Sequence, residues 1–346
     1  MPESLMPENT IVRLNRVPDP GVLPADIFEL ATESMPDLRP GQMLVEIIYQ
    51  TIDAGSRAML DSSSGYVFTV KPGDRLPASA SIGRVVSSRS DQYGEGALVR
   101  LFGGTRQRYQ RIDPERCVGL QVLESDVVDP MHYLGILGIT GFTAWLGITD
   151  ICRPAPGETV LVSAAAGAVG STAGQFAKAL GARVVGIAGG ARKCQYVRDQ
   201  FGFDDCVDYQ ATDFSERLAQ ACPKGVNSYF ENVGGAVQQA AFSLLCDFAR
   251  VAMCGQVAQY SGGGEVPGAN LMTAVNRQLE VRGFLAHTHY HRLPSFMAQV
   301  GQWYRQGRLI QSHNVVQGME NLHEAINSLV AGRNIGQQVH QLAAYP

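Results

Sequence analysis

The 346-residue sequence predicts an α/β protein of two domains, one β-rich and the next a doubly wound parallel sheet. Three observations carry this. Up to about residue 125 short apolar or alternating runs are separated by Gly, Pro, Ser and Asp clusters; from Glu158 strand and helix candidates alternate; and one strand runs directly into small residues and then an amphipathic helix.

Taken in order, Met43 to Tyr49, Ile82 to Val86 and Ala97 to Phe102 read as strands of the first domain. DPMHYLGILGITGFTAWLGI follows, with Asp129 as N-cap and Pro130 at the first helical position of a helix or helix pair. Strands are then expected at Thr159–Ser163, Arg183–Ile187, Asp205–Asp208, Ser228–Glu231, Arg250–Cys254 and Leu279–Phe284, with helices between them, the pattern of a doubly wound sheet. After Pro294 come a helix (Ser295–Gly307), an extended run (Leu309–Val316), a helix (Leu322–Val330) and a last strand (Gln337–Leu342). That tail is expected to fold back on the first domain, which gives residues 1–128 completed by 302–346, and 129–301 as the second.

Composition excludes other classes. A formal charge of −4 provides no broad basic field for nucleic acid, and no long run of Lys and Arg is present. No stretch reaches the roughly 18 uninterrupted apolar residues of a membrane span, and MPESLMPENTIVRLNRV lacks a basic segment followed by an apolar core, so a cytoplasmic protein is expected. The seven cysteines are scattered and never spaced C-x-x-C, which predicts reduced, buried thiols. A small-molecule partner fits this chain best.

The strongest motif is TVLVSAAAGAVGSTAGQFAKALG, in which Ala164, Gly167 and Gly170 give A-x-x-G-x-x-G, with Ala168 and Val169 between the glycines. Small residues are needed there because the backbone must approach a pyrophosphate at a helix N-terminus. A glycine pattern alone is weak evidence, since such turns also arise for steric reasons; the strand before and helix after strengthen it. The second strand, VVGIAGGARKC, ends without the acid that would accept from ribose hydroxyls and continues into Arg192 and Lys193. A basic pair there favours a 2′-phosphate, hence NADPH, over a reading of two solvated helix residues.

LGITGFTAWLGI, AAAGAVGS, the Lys193 region, Asp208-Tyr209, YFENVGG and MCGQVAQY occur in the order found in the prostaglandin reductase, plant double-bond reductase and bacterial curcumin reductase family, a zinc-independent branch of the medium-chain dehydrogenase/reductases, which the chain resembles. The match is firm from about residue 129 to 260 and traceable elsewhere, including AGRNIGQQV. The resemblance implies a GroES-like β-rich domain plus a Rossmann doubly wound parallel-sheet domain, a homodimer, and NADPH-dependent reduction of activated carbon–carbon double bonds. By the same route Lys193 and Tyr209 hold the 2′-phosphate, Asn232 and Asn334 contact the nicotinamide half, Gly255 lies along the coenzyme, and Tyr260 faces the substrate carbonyl. Tyr209 as a strand cap and Asn232 as a turn residue stay open as alternatives. Two segments depart from the family: its Y-L-S-V-D-P-Y-M-R is Tyr49 to Arg57 here, with Ala54, Gly55 and Ser56 at the changed positions, and its G-W is Gly103-Gly104, ahead of Thr105. Both changes remove bulk from the expected substrate wall.

Reduction of an α,β-unsaturated carbonyl needs a hydride at the β-carbon and a donor for the enolate oxygen; Tyr260 is the expected donor, with strand-end packing as the alternative. No zinc ligand set is visible, and His287, His289 and His291 read as a polar loop rather than a metal strand. Quinone or carbonyl reduction, another pathway-specific reaction, and an NADPH-binding redox sensor without turnover remain the competing readings.

Overall fold

The computed structural model describes residues 7–62, 65–123, 128–260 and 266–345. The chain forms two compact units, one of Met1–Leu134, Asn314–Ala331 and Gln338–Pro346, the other of Gly135–His313 and Gly332–Gln337. The boundary expected at 128/129 therefore lies at 134/135, and of the tail expected in the first domain, residues 302–313 and 332–337 belong to the second unit.

The first unit opens with the antiparallel pair β1 (Glu8–Leu14) and β2 (Phe28–Ser34). A larger antiparallel sheet follows from β3 (Met43–Ile52), β4 (Ala80–Ser88), β5 (Leu98–Phe102), β6 (Tyr109–Ile112) and β7 (Gln121–Val122), with one helical turn, α1 (Gly55–Ala58), after β3. Strand β3 is buried along almost its whole length because β4 and β6 pair with it and core packs beneath. Met43, Val45, Ile47, Val85, Val99 and Leu101 form that core, the alternate positions of three neighbouring strands.

The second unit begins where glycines interrupt the apolar stretch. Asp129 does accept from the Met131 N–H, at 2.9 Å, but the capped segment is a 3-10 turn, Pro130–Tyr133. The α-helix starts only at α2 (Ile139–Leu146), after Gly135 and Gly138, and runs on into a π-turn over Gly147–Cys152. Then come β8 (Thr159–Val162), α3 (Ala168–Ala179), β9 (Arg183–Ala188), α4 (Ala191–Asp199), β10 (Asp205–Asp208), α5 (Phe214–Ala221), β11 (Val226–Glu231), α6 (Gly235–Ser243), β12 (Leu245–Met253), α7 (Met272–Asn276), β13 (Glu280–Gly283) and α8 (Leu293–Arg305). The six strands are ordered β10-β9-β8-β11-β12-β13, every pairing parallel. In chain order that is 3-2-1-4-5-6, with the reversal between β8 and β11, where an open α/β sheet binds its ligand. Strand β8 is buried at all four positions, as a strand covered by helices on both faces must be.

The tail supplies β14 (His313–Gln317), α9 (Leu322–Val330) and β15 (Gln337–Gln341). Strand β15 pairs antiparallel with β3, His340 opposite Gln50, and Leu322, Ala325 and Ile326 of α9 pack on Val12, Leu14 and Ile27. All seven cysteines are free, and among the described residues no helix is long and apolar enough to cross a membrane.

Candidate coenzyme site and substrate-wall segments

The turn between β8 and α3 is built for close approach. Ala164 takes a left-handed φ of 50°, uncommon for a residue with a Cβ, and its carbonyl accepts the Gly167 N–H at 2.9 Å. A Cβ on Gly170 would stand 2.3 Å from the Ala164 oxygen, so backbone geometry requires glycine there. No side chain caps α3, which leads with Ala168, Val169 and Gly170, and its first N–H groups point where an anion binds at a helix N-terminus. Residues 332–337 dock on this turn: Gly336 donates to the Ala166 carbonyl at 2.7 Å and bridges to Gly167, while buried Asn334 donates to the Gly336 carbonyl at 2.9 Å. The structure thus brings Asn334 beside the motif despite their distance in sequence.

At the end of β9, Gly189 and Gly190 lead into the first turn of α4, where Arg192 is exposed and Lys193 half-buried. The Lys193 ammonium donates to the Gly332 carbonyl, and partial desolvation lowers its pKa from the ordinary lysine value. Tyr209 follows β10 and is 45% exposed, its ring 3.0 Å from where a Gly189 Cβ would stand. Asp208 accepts from the Gly190 and Gln210 N–H groups at 2.7 and 2.9 Å and ties the two turns together. Lys193 and Tyr209 therefore flank one turn of glycine backbone, with Arg192 on its solvent side.

At the switch point, Asn232 donates its backbone N–H to Ser163 Oγ and its Nδ2 to the Ser163 carbonyl, each at 2.8 Å. Gly255 donates to the Glu231 carbonyl, and a Cβ on it would crowd the Tyr260 hydroxyl at 3.2 Å. The Tyr260 oxygen accepts from the Gln256 N–H at 3.3 Å, which aims the phenol back toward the strand end carrying Asn232 and Gly255. The composition of the motif gave no sign of Ser163 and Glu231, which hold this loop by side-chain bonds.

Within the β-rich unit, the two altered segments are not simply open. The Tyr66 hydroxyl stands 2.3 Å from where a Gly55 Cβ would lie, so a tyrosine later in the chain fills the space that the glycine leaves. Gly103 and Gly104 both have positive φ, 75° and 101°, which makes them a turn requirement. Two residues on, Arg106 is fully buried; its Nη2 donates to the Thr51 carbonyl at 3.0 Å, and burial lowers its pKa to about 10. Asp53 accepts from Ser79 Oγ at 2.5 Å and from the Ser56 N–H at 3.1 Å.

His287, His289 and His291 lie on a 3-10 helix, Ala286–Arg292, with the His289 and His291 ring centroids 6.2 Å apart. Among the described residues no group of three His, Cys, Asp or Glu side chains is placed to hold a metal ion, so zinc does not fit the donors present. The coenzyme does fit: the backbone at Gly170 is pressed too close for any side chain, the helix end is uncapped, and no acid stands at the end of β9.

A parallel sheet with this order and this turn defines a dinucleotide-binding unit of the Rossmann class. Comparison with known proteins agrees. Residues 168–301 match the family described as zinc-binding dehydrogenase, and residues 11–120 match the N-terminal domain of oxidoreductase. The chain is 35% identical over 322 residues to the NADPH-dependent curcumin reductase of Escherichia coli, covering 91% of this chain and 92% of that protein. It is 34% identical over 300 residues to the NADP-dependent 2-alkenal reductase of Nicotiana tabacum, covering 86% of each. The crystal structure of CurA from Vibrio vulnificus in complex with NADPH superposes with a TM-score of 0.89 at 34% identity, covering 97% of this chain and all of that one, 100%. The chain belongs to the medium-chain dehydrogenase/reductase superfamily, in the group of curcumin, prostaglandin and plant double-bond reductases.

Proposed function

We propose that the chain is an NADPH-dependent reductase of activated carbon–carbon double bonds in small α,β-unsaturated carbonyl compounds. The observation that carries this is the near full-length similarity to the curcumin and 2-alkenal reductases, together with a β8–α3 turn in which Gly170 leaves no room for a side chain beside the Ala164 carbonyl. Bound NADPH supplies the hydride. The chain's own residues do the rest: Ala164 and Gly167 shape the turn, and Ala168, Val169 and Gly170 at the start of α3 present backbone N–H groups to the pyrophosphate; Lys193, Tyr209 and Arg192 face the 2′-phosphate; Asn232, Gly255 and Asn334 line the nicotinamide half. Tyr260 donates its O–H to the carbonyl oxygen as that oxygen takes up enolate charge, and solvent then delivers a proton to the α-carbon.

The scattered free thiols support a reducing, cytoplasmic setting, and the family resemblance supports a homodimer, which light scattering of the purified protein tests. The deciding experiment incubates NADPH with enones, enals, quinones and saturated aldehydes and identifies the products. Saturated ketones or aldehydes from the enones and enals, with turnover that withstands dialysis against a strong chelator, are expected. Preferential quinone or aldehyde reduction would move the reaction class. NADPH binding without oxidation by any compound would make the chain a sensor.

A further inference from the structure

At the switch point sits a buried ionisable group that the coenzyme reading does not use. Glu231 closes β11 and is fully buried. Its Oε1 accepts from Ser163 Oγ at 2.9 Å, from the Val233 N–H at 2.6 Å and from the Gly234 N–H at 3.1 Å; its Oε2 accepts from the Tyr229 hydroxyl at 2.8 Å. Both oxygens act only as acceptors, the pattern of an ionised carboxylate. Among the described residues it forms no ion pair, so its charge is held by neutral dipoles alone. The neighbours feel that charge: burial first and Glu231 second push the Tyr229 phenol well above its usual range, and the same two causes push the Cys254 thiol up to about 12.

A structural tie between β8 and β11 needs no charge, and a buried charge without a counter-ion is expensive. The chemistry expected at this point does use one. A dihydronicotinamide ring is neutral; when its C4–H bond breaks, two electrons and the hydrogen go to the substrate carbon, the ring becomes a cation and the substrate an enolate anion. A fixed anion in a site of low effective dielectric lowers the free energy of the cationic ring relative to the neutral one. We propose that Glu231 is a charge-stabilising residue, whose carboxylate at the β8–β11 switch point favours the positive nicotinamide formed as hydride leaves. The proposal rests on the coenzyme reading given above and adds to it an electrostatic cause for the direction of transfer.

Glu231→Gln separates charge from shape. The amide oxygen can keep the three contacts of Oε1, and its NH2 can donate to a Tyr229 hydroxyl rotated to accept. Binding of NADP+ and of NADPH is measured separately by titration calorimetry, with no substrate present. The expected result is a Kd for NADP+ raised on the order of tenfold more than the Kd for NADPH, while NADPH still binds within a few-fold of the original value. Tyr229→Phe, which keeps the charge and removes one donor, leaves the ratio of the two constants unchanged. An unchanged ratio in Glu231→Gln, with NADPH still bound, overturns the proposal and makes Glu231 a neutral strut, leaving the coenzyme reading intact. A wild-type chain that binds neither coenzyme overturns both. Should Glu231→Gln fail to fold, Glu231→Asp and Glu231→Asn, alike in length and different in charge, are compared in the same way, and equal ratios in that pair overturn the proposal.

Discussion

At the switch point of the α/β unit, both carboxylate oxygens of Glu231 and the hydroxyl of Ser163 are bonded, whereas the polar row across the β-rich sheet is left incomplete. There Ser81, Gln50 and His340 stand side by side on β4, β3 and β15. Gln50 Nε2 donates to Ser81 Oγ at 3.0 Å, yet among the described residues the buried Gln50 Oε1, His340 Nδ1 and Arg106 Nη1 find no hydrogen-bond partner. Leaving such an atom unpaired costs about 1–3 kcal/mol. The first region has its polar groups tied by its own bonds and is expected to keep its shape when coenzyme binds. The second holds buried polarity that its own side chains do not balance, beside segments that depart from the family, and it is the part of the molecule where substrate preference is expected to differ from the relatives.

The sharpest way to break this contrast is Tyr260→Phe, because it asks whether the chemistry is borne by the well-bonded region. Ring packing beside Gly255 is kept and one donor is lost, so kcat should fall about 10- to 1000-fold while NADPH affinity is unchanged. Single-turnover rates with the best substrate of the panel measure it. An unchanged rate would assign Tyr260 to packing and shift attention to donors of the β-rich unit.

The next effect is on stability and belongs to that unit. His340 is fully buried, and its Nε2 donates to the Gly318 carbonyl at 2.6 Å, so the neutral ring offers Nδ1 as an acceptor. Burial, then the Arg106 charge, lowers its pKa from 6.5 to about 4. The unfolded chain thus binds a proton more readily than the folded one between those values. Its contribution is complete above pH 6.5 and is lost as pH falls to about 4, on the order of 1.4 kcal/mol per pH unit and 3 kcal/mol in all. Urea unfolding across that window should show the slope in the wild type and a flatter one in His340→Gln. Equal slopes would mean that the buried row does not carry this charge penalty.

How much of this was legible in the sequence differs between the regions for a physical reason. The alternation of strands and helices and the β8–α3 turn follow from local patterns: an apolar run, a small-residue turn, an amphipathic helix, repeated. Even Asn334 was named, although its place on the turn depends on the Gly336–Ala166 bond across much of the chain. Glu231 escaped notice as a functional group because a single acid inside YFENVGG has no periodicity to mark it. Arg106, Tyr66 and His340 were missed since their surroundings come from β3, β15 and loops far apart in sequence. His287, His289 and His291, read as a polar loop, lie on a 3-10 helix, a turn that their spacing by two does not mark.

The smallest expected effect tests the edge of the coenzyme site, where Lys193 is held by carbonyl and backbone contacts rather than by an acid. Its ammonium donates to the Gly332 carbonyl, half-buried, and no carboxylate of β9 competes for it. A 2′-phosphate would add a charged hydrogen bond there, so Lys193→Ala should weaken NADPH binding by roughly 1.5 to 3 kcal/mol, about 10- to 150-fold. NADH lacks that phosphate and should bind as before. Because the Gly332 contact is lost in both titrations, any loosening of residues 332–337 and of Asn334 would appear in NADH as well, and the NADH titration therefore measures the structural part alone. Equal losses for the two coenzymes would make Lys193 a brace for the 332–337 segment, and no loss for either would leave the 2′-phosphate to Arg192 and Tyr209.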